Sequence, residues 1–404
     1  MYTQSEVMDF LKEEDVKFIK LAFFDVFGKQ KNISIISDQM SRAFSKGISF
    51  DASAIDGFQR PEKSDLFLHP DPSTIVILPW RPDHGKVVCM LCDITYPDGT
   101  PYERDSRHLL KTAVEYAKSK GYEFRVSAEM EFYLFKLDEN GNPTKITLDN
   151  AGYMDVAPSD KGENVRRDIC FTLEQMGIKP ECSHHEEGPG QNEVDFRYSD
   201  PLSAADHTSN FKWVVRTKAS LNGLYADFSP KPIDFKSGNG MHVNISCSST
   251  KNTKKELLMS QMIAGILSHI AEITLFLNPC EKSYIRLGNF KAPSYISWGN
   301  ENRSSLIRVP ASDDETKRIE VRSPDPSANP YIVFALLIYA ALDGIENEMV
   351  APPSLSDNLF EADSEILSKI KKLPSCKKDA FDKAISSEFV KKYLCEEFIR
   401  RYQK

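Results

Sequence analysis

The chain has 404 residues, 27% of them charged, and a formal net charge of -8. This length accommodates two domains, or one large domain with a smaller attachment. The acidic balance argues against nucleic acid and anionic membranes as partners, because both attract basic surfaces. The N-terminal segment lacks the basic flank and the uninterrupted apolar run of a signal peptide.

The eight cysteines show no spacing typical of a disulfide framework, which indicates a reduced, cytoplasmic setting. Cys89 and Cys92 have CxxC spacing, but they stand in the apolar stretch KVVCMLCDI, and no second pair follows. In a strand, an odd spacing points two side chains to opposite faces. We therefore expect two core cysteines here, with a metal or redox site as the alternative.

The first hundred residues predict a small α/β unit. An amphipathic helix, TQSEVMDFLKEE, precedes a hairpin of VKFIKLAFFDVFG and KNISII, and the stretches STIVILPW and KVVCMLCDI predict further strands. The segment TYPDGTPYERD then breaks the pattern with two prolines and a glycine. We place a domain boundary there, which gives domains 1–98 and 99–404.

The remaining chain alternates between helical and strand patterns, which indicates a sheet covered by helices. Helices are predicted over 104–121, 163–177 and 203–223, and strands over 123–135, 192–198 and 240–247. A later apolar run from Tyr331 to Leu342 is too short to cross a bilayer, which takes about 20 residues. Asn329 and Pro330 supply a start signal for a buried helix at that point.

The stretch SAEMEFYLF carries two acids, Glu129 and Glu131, in an apolar strand. Side chains two residues apart in a strand share a face and lie about 6 to 7 Å from each other. Two buried carboxylates repel each other and lose hydration, so they stay ionised only beside cations. The pair therefore indicates a metal or a set of basic side chains, whereas a lone pair of acids is more often a solvated face.

Three later segments offer related chemistry: HHEEGPGQNEVDF (184–196), SGNGMHVNIS (237–246) and RIEVRSPDPSANPY (318–331). Five acids and one histidine from these segments and the first pair form a candidate set of metal ligands. Oxygen-rich ligation with a single imidazole suits Mg²⁺ or Mn²⁺ better than structural zinc. Each segment alone is more often structural, and only the combination predicts two divalent metal sites.

In this order and with these spacings, the segments resemble the glutamine synthetase family, in its short class I form of bacteria and archaea. The matching stretches also include FDASAIDGF (50–58) and NRSSLIRVP (302–310), and the resemblance runs from residue 50 to about residue 345. The resemblance implies an α+β fold. A small N-terminal β-grasp domain would precede a large C-terminal catalytic domain of the glutamine synthetase/guanido kinase type, with an antiparallel sheet covered by helices.

The resemblance also implies roles for single residues. The first metal would be held by Glu131, Glu186 and Glu193, and the second by Glu129, His242 and Glu320. The substrate glutamate would contact two arginines, a backbone glycine and the first metal's acids: Arg286, Arg322, Gly238, Glu131 and Glu186. ATP would contact Arg308, Arg318, Ser246 and Asn244, and the catalytic residues would be Asp51, Arg303 and Lys291.

The implied reaction is the ATP-driven formation of glutamine from glutamate and ammonia through γ-glutamyl phosphate. In this family the carboxylate that corresponds to Asp51 accepts the ammonium proton and reaches the site of a neighbouring subunit. The resemblance therefore implies a homo-oligomeric ring, and we expect a dodecamer of two six-membered rings. Asn244 stands where many members have histidine, which we interpret as a tolerated variant because both side chains can donate a hydrogen bond.

Lys291, in RLGNFKAPSY, departs from the family pattern, which usually has a glutamate just before Ala-Pro. A cation there reverses the sign of a local interaction with ammonium. Three alternatives stay open: the lysine points outward, it assists the acyl phosphate, or the acceptor is an alkylamine or polyamine. A non-catalytic paralogue that acts as a nitrogen sensor or scaffold is the remaining hypothesis.

Overall fold

Two sheets and the helices around them form the described part of the chain. The structure is a computed structural model and describes residues 2–81, 84–251, 253–313 and 316–403. Helices accompany both sheets, as the sequence predicts, so the α+β class is confirmed.

The smaller sheet belongs to the first hundred residues. Its strands run in the spatial order β2-β1-β6-β4-β3, with β5 against β6. The strands β1 and β6 are parallel, and the other pairs are antiparallel. The elements are α1 (Gln4–Glu13), β1 (Val16–Phe24), β2 (Gln30–Ile36), α2 (Met40–Lys46), β3 (Ile48–Asp51), β4 (Asp65–Pro70), β5 (Val76–Ile77) and β6 (Lys86–Thr95).

The predicted β1–β2 hairpin is confirmed, and its turn contains Gly28 with φ of +78°. The predicted strand STIVILPW is shorter than expected, because only Val76 and Ile77 pair with β6. Residues Pro72–Thr74 instead form a 3₁₀ turn, whose first amide is capped by the carboxylate of Asp71. The capping side chain and the proline favour this turn over an extended start.

The larger sheet runs in the order β13-β14-β15-β12-β7-β10-β9, with β8 and β11 also paired to β7. Its pairs are antiparallel except β13 with β14. Its elements are α3 (Ser106–Ser119), β7 (Tyr122–Leu137), β8 (Pro143–Thr147), α4 (Glu163–Gln175), β9 (Pro180–His185), β10 (Gln191–Phe196), α5 (Pro201–Leu221), β11 (Leu224–Asp227), β12 (Met241–Ser249), α6 (Lys255–Leu277), α7 (Glu281–Arg286), β13 (Trp298–Asn300), β14 (Ile307–Val309), β15 (Ile319–Val321), α8 (Pro330–Glu346), α9 (Ser364–Leu367), α10 (Lys377–Ser386), α11 (Glu388–Tyr393) and α12 (Glu396–Arg401).

The strand β7 lies near the centre of this sheet and carries the acid pair. Val126, Ala128 and Met130 are buried on one face of β7, as the alternation of a strand requires. The register places His242 of β12 directly opposite Glu129, and another strand, β10, places a glutamate opposite Glu131. The three strands thus bring together side chains that lie far apart in sequence.

Two long apolar helices, α6 and α8, form the core behind the sheet. The predicted start of α8 is confirmed, since the side chain of Asn329 accepts a hydrogen bond from the amide of Tyr331. The helices meet at Gly265 and Gly344, where an added Cβ would lie 2.1 Å from a carbonyl oxygen of the opposite helix. Only glycine at both positions permits this contact of backbone with backbone.

The helix α6 is long and apolar enough to cross a membrane by length and composition alone. Most of its residues are buried inside the protein, and it packs against α8, α10 and β12. A core helix of a large protein passes the same test. We therefore interpret α6 as the core helix of a folded domain.

All eight cysteines, each of which the structure describes, are free thiols. Cys89 and Cys92 are both buried in β6, and burial raises the pKa of Cys89 to about 12. Neither belongs to a metal-binding group of the described residues. The expectation of two core cysteines is therefore confirmed.

The small sheet ends at Thr95 and the next helix begins at Ser106. The boundary that we place between residues 98 and 99 falls in this connecting segment and stays a prediction. Hydrogen bonds join the first hundred residues to the rest of the chain. The carbonyl of Val26 accepts hydrogen bonds from the side chains of Asn329 and Tyr402 at 3.2 and 2.7 Å.

Candidate active site

A cavity of about 440 Å³ opens at one face of the larger sheet, and its two walls carry opposite charge. We call them the acid wall and the arginine wall. The acid wall is formed by side chains of β7, β10 and the loop that follows β9: Glu129, Glu131, Glu186, Glu187, Glu193 and Asp195. The arginine wall is formed by α7, β14, β15 and the loops beside them: Arg286, Arg303, Arg308, Arg318 and Arg322.

One set of candidate metal ligands joins three strands. Glu129, His242 and Glu320 each offer one ligand atom, and the three atoms lie within 4.8 Å of one another. The Nδ1 atom of His242 lies 3.6 Å from a carboxylate oxygen of each glutamate. Burial raises the pKa of Glu129, but the hydrogen bond and charge of His242, together with the hydrogen bond of Asn244 and the charge of Arg318, lower this pKa to about 2. The structure thus brings together the three residues that the resemblance assigns to the second metal.

A second set lies beside it and contains a histidine that the sequence analysis does not assign. His184, Glu186 and Glu193 offer ligand atoms within 4.8 Å of one another. The Nε2 atom of His184 donates to Glu186 at 3.0 Å and lies 4.0 Å from Glu193. Glu186 and Glu193 are therefore together as the resemblance implies, and His184 adds an imidazole to their set.

Glu131 faces the same cavity from the middle of β7. One of its carboxylate oxygens accepts hydrogen bonds from the side chain of Gln191 and the amide of Gly240, each at 3.0 Å. Burial raises the pKa of Glu131 to about 7, and the negative charge of Glu186 adds to this rise. The other oxygen of this carboxylate has no protein donor among the described residues.

Glu193 and Asp195 of the acid wall lie among carboxylates without a cation among the described residues that compensates their charge. Burial, together with neighbouring carboxylates, raises the pKa of Glu193 well above its usual range and that of Asp195 to about 6. Carboxylates in this situation take up protons or bind cations. Two groups of carboxylate oxygens, each with one imidazole, fit Mg²⁺ or Mn²⁺.

The arginine wall is held by internal partners. Arg308 and Arg322 donate to the two oxygens of Glu320 at 2.7 and 3.1 Å. Arg318 donates to the side-chain oxygen of Asn244 at 2.9 Å, and Arg286 to the carbonyl of Ser323 at 2.8 Å. A guanidinium that is already oriented loses less freedom when it binds an anion.

A second cavity of about 600 Å³ adjoins the first. Both cavities are lined by Glu129, Asp195 and Arg318, so they share one stretch of wall. Asn244 and Ser246, which the resemblance assigns to ATP, line only the second cavity. An extended anionic ligand in the second cavity can therefore reach the acid wall and the arginine wall.

Comparison with known proteins settles the family. A sequence model of the glutamine synthetase catalytic domain matches residues 103–404, and one of the glutamine synthetase β-grasp domain matches residues 15–97. The chain belongs to the glutamine synthetase family. It is 44% identical to a glutamine synthetase of Clostridium saccharobutylicum over 413 residues, which covers 99% of this chain and 93% of the relative.

A further relative and two solved structures are also similar to this chain over nearly its full length. A glutamine synthetase of Methanosarcina mazei is 45% identical over 412 residues, which covers 99% of this chain and 92% of that protein. Among solved structures, GmaS in complex with ADP is 26% identical with a TM-score of 0.89, and the match covers 98% of this chain and 94% of that one. A cryo-EM structure of Plasmodium falciparum glutamine synthetase, 23% identical, has a TM-score of 0.86 over 100% of this chain and 94% of its own, and supports the fold alone.

Gly238 of this glutamine synthetase family member lies where a side chain cannot fit. An added Cβ would lie 2.4 Å from the carbonyl oxygen of Pro230 and 3.0 Å from the side chain of Arg286. The carbonyl of Gly238 accepts a hydrogen bond from Gln191 at 3.2 Å. The close approach of Pro230 and Arg286 therefore requires glycine at this position.

Lys291 lines the first cavity and makes an ion pair with Glu187. The lysine side chain is 60% exposed, so the pair stands at the mouth of the cavity. The carbonyl of Lys291 accepts a hydrogen bond of 3.4 Å from Arg322, which also donates to the carbonyl of Arg303. Arg322 thus connects the loop that carries Lys291 to the loop that carries Arg303.

Asp51 lies apart from both cavities of this chain. It ends β3, and one carboxylate oxygen accepts hydrogen bonds from the amide and hydroxyl of Ser53 at 2.9 and 2.6 Å. Asp51 lines neither the first nor the second cavity. The other predicted site residues line at least one of the two cavities, except Glu320. Glu320 belongs to the candidate ligand group of Glu129 and His242.

The sequence alone predicts no role for His184, Gln191 or Asp195, although each lies two residues from a predicted metal ligand. His184 precedes Glu186 by two residues, and Asp195 follows Glu193 by two residues in β10. Alternation along a strand places such residues on one face. The thiol of Cys182 donates to Asp195 at 2.8 Å, which the sequence spacing could not indicate.

Proposed function

We propose that this chain is an ATP-dependent glutamate–ammonia ligase, which forms glutamine through γ-glutamyl phosphate. The supporting observation is the pair of opposed walls, acid and arginine, beside a cavity of nucleotide size in a glutamine synthetase fold. A carboxylate, a triphosphate and an ammonium ion are the charged groups that such an arrangement would take. The eight free thiols favour a cytoplasmic location.

We assign two divalent metal ions, Mg²⁺ or Mn²⁺, to the acid wall. Glu131, Glu186 and Glu193 would hold the first, with His184 beside them, and Glu129, His242 and Glu320 would hold the second. Such ions supply charge compensation for the phosphates. The carboxylates of this chain would fix the positions of the ions. The hydrogen bonds from Gln191 and Gly240 orient the carboxylate of Glu131.

In the first step, an oxygen of the γ-carboxylate of glutamate attacks the γ-phosphorus of ATP. The new bond joins this carboxylate oxygen to phosphorus, and the bond from phosphorus to the bridging oxygen breaks, so that ADP leaves. Arg303, Arg308 and Arg318 would neutralise the phosphate oxygens during this transfer, which depends on alignment and charge more than on covalent help. Arg286 and Arg322, with the backbone of Gly238, would hold glutamate.

In the second step, ammonium loses a proton to Asp51, and the neutral ammonia attacks the acyl carbon. The carbon–nitrogen bond forms, the carbon–oxygen bond to phosphate breaks, and the surplus proton of the attacking nitrogen goes to the departing phosphate. Because Asp51 lies apart from the cavities of its own chain, the proposal requires Asp51 of a neighbouring subunit. This requirement supports a closed homo-oligomer, and we propose a dodecamer of two six-membered rings.

The alternative acceptor is a small alkylamine or polyamine, and Lys291 is the observation that favours it. A free lysine at the mouth would repel ammonium. The ion pair with Glu187 neutralises that charge, so the lysine is no barrier to a small cation. This pair supports ammonia as the acceptor.

The deciding experiment measures phosphate release with ATP, glutamate and Mg²⁺, and compares ammonium with methylamine, ethanolamine and putrescine. We expect glutamine as the mass-identified product and the highest kcat/KM with ammonium. A preference of tenfold or more for an organic amine, about 1.4 kcal/mol, would establish the alternative. No turnover with every amine would instead support a non-catalytic paralogue.

Subunit sharing has its own test. Asp51→Asn and Glu131→Gln should each be inactive alone, and mixed assemblies should regain activity, because some sites then combine an intact Asp51 with an intact Glu131. Mass photometry gives the ring size in the same samples. Mixed assemblies without any activity would contradict a shared site.

A further inference from the structure

A third cavity of about 510 Å³ lies behind the loop that carries Lys291, and the proposed reaction does not use it. It is bounded by α7, by the loop that follows α7, and by a segment that begins near Leu359. Its volume falls within the range of small-molecule sites. The cavity is therefore large enough for a ligand of its own.

The lining of the third cavity carries far fewer charged side chains than the lining of the active-site cavity. Lys372 is the one charged side chain among the described residues that line it, and no carboxylate does. The amino group of Lys372 lies over the ring of Tyr295, 4.8 Å from the centroid. Phe290 and Phe360 add further aromatic surface. A cationic ligand would find no carboxylate among the described lining residues, and a polyphosphate would find a single cation.

Tyr284 lines the third cavity, and its hydroxyl lacks a partner among the described residues. Its oxygen is buried and makes no hydrogen bond within the described residues. Burial raises the pKa of Tyr284 above its usual range, so the hydroxyl keeps its proton and can donate. Buried hydroxyls nearly always have a partner. An acceptor oxygen on a bound ligand would supply one.

The third cavity and the active site share structural elements. Asn289 and Phe290 line both cavities. The six-residue helix α7 carries Tyr284 toward the third cavity and Arg286, one of the proposed glutamate ligands, toward the active site. A ligand that fixes α7 and this loop would change the free energy of glutamate binding, and glutamate would change the affinity for that ligand by the same factor.

We propose that the third cavity binds a small organic anion with an aromatic body, and that its occupation is coupled to glutamate binding. Lys372 would attract the anionic group, and the hydroxyl of Tyr284 would donate to an acceptor oxygen on the ligand. The rings of Tyr295, Phe290 and Phe360 would contact its body. The binding site goes beyond the proposed reaction, and only the coupling rests on it.

The test is calorimetric titration of the intact oligomer, saturated with ADP and Mg²⁺, with indole-3-acetate and with the uncharged indole-3-acetamide. We expect the acetate to bind in about the millimolar range and the acetamide to bind at least fivefold more weakly. Lys372→Gln should remove this difference. Lys371→Gln, which changes a neighbouring lysine outside the lining, should preserve it.

Filling the third cavity with Leu367→Trp should abolish binding of both probes. Ser375→Trp fills the same cavity from another side and repeats the test if the first variant does not fold. Saturating glutamate should shift the dissociation constant of the acetate at least twofold. The absence of saturable binding, a preference for the acetate that persists in Lys372→Gln, or binding that persists in both tryptophan variants would overturn the site.

An unchanged dissociation constant with glutamate would overturn the coupling. Because calorimetry detects binding whether or not the chain makes glutamine, a failure of the site and a failure of the proposed reaction are distinguishable.

Discussion

The two walls of the active-site cavity differ in how far each is complete within one chain. On the acid wall, burial and like charges raise the pKa of Glu131 and Glu193, so these carboxylates lack sufficient cations. On the arginine wall, Arg308 and Arg322 already share the carboxylate of Glu320. The acid wall is therefore a site that a cation completes, whereas the arginine wall is pre-oriented for an anion.

The largest effect is expected from a substitution on the acid wall. Glu131→Gln removes a buried charge, so Mn²⁺ affinity should fall about 100-fold or more, and kcat/KM about 10³-fold. Calorimetric Mn²⁺ titration and steady-state kinetics measure the two effects. Glu139→Gln, an exposed acid in the turn after β7, is the matched control. Unaltered Mn²⁺ binding in Glu131→Gln would exclude Glu131 from the ligand set.

A smaller effect is expected on the arginine wall. Arg308→Lys keeps the charge but loses the planar fork that engages Glu320, so kcat/KM should fall roughly 10²-fold while the fold persists. Arg400→Lys, at an exposed ion pair with Glu396 in α12, should have no effect. Activity within twofold of the parent in Arg308→Lys would show that only the charge matters.

A still smaller effect is expected at the cavity mouth. Lys291→Gln leaves Glu187 without its cation, so KM for ammonium should fall a few-fold, and the free energy of unfolding should change by less than about 1 kcal/mol. Lys291→Arg keeps the charge and should leave KM unchanged. A rise in KM, or a switch of preference to methylamine, would mean that the lysine itself contributes to catalysis or specificity.

The smallest effect concerns pH and the metal-free protein. Because the folded pKa of Glu131, about 7, exceeds its usual value of 4.5, the native state keeps a proton that the unfolded chain loses. This contribution to stability is complete below pH 4.5 and is lost as pH rises through about 7. The Tm of Glu131→Gln should therefore exceed that of the parent by a few degrees at pH 8 and by less at pH 5. Scanning calorimetry without metal measures this, and an equal difference at both pH values would contradict it.

Much of the acid wall could be predicted from local spacing. The alternation of β7 places Glu129 and Glu131 on one face, and the apolar flanks indicate burial. Pairing across strands could not be derived from spacing alone, since His242 meets Glu129 only through the register of β12 with β7. The resemblance supplied that set, and the structure adds His184, which alternation along β9 could also have indicated.

Fewer residues of the arginine wall could be predicted from local spacing. Arg303, Arg308 and Arg318 stand in short strands or loops without periodicity, so only the resemblance singled them out. The partner of Lys291 could not be predicted either, because Glu187 lies 104 residues away and belongs to a loop. Loop residues meet according to the packing of the whole domain, which local patterns do not encode.

The contact between Gly265 and Gly344 has a consequence for how activity screens of this protein would be interpreted. Neither glycine lines the active-site cavity, yet any side chain there would push apart the two core helices α6 and α8. A screen that scores glutamine production would rank both positions with the metal ligands. Intolerance at these two positions would report the spacing between two backbones, and a catalytic map drawn from such data would contain residues that never contact a substrate.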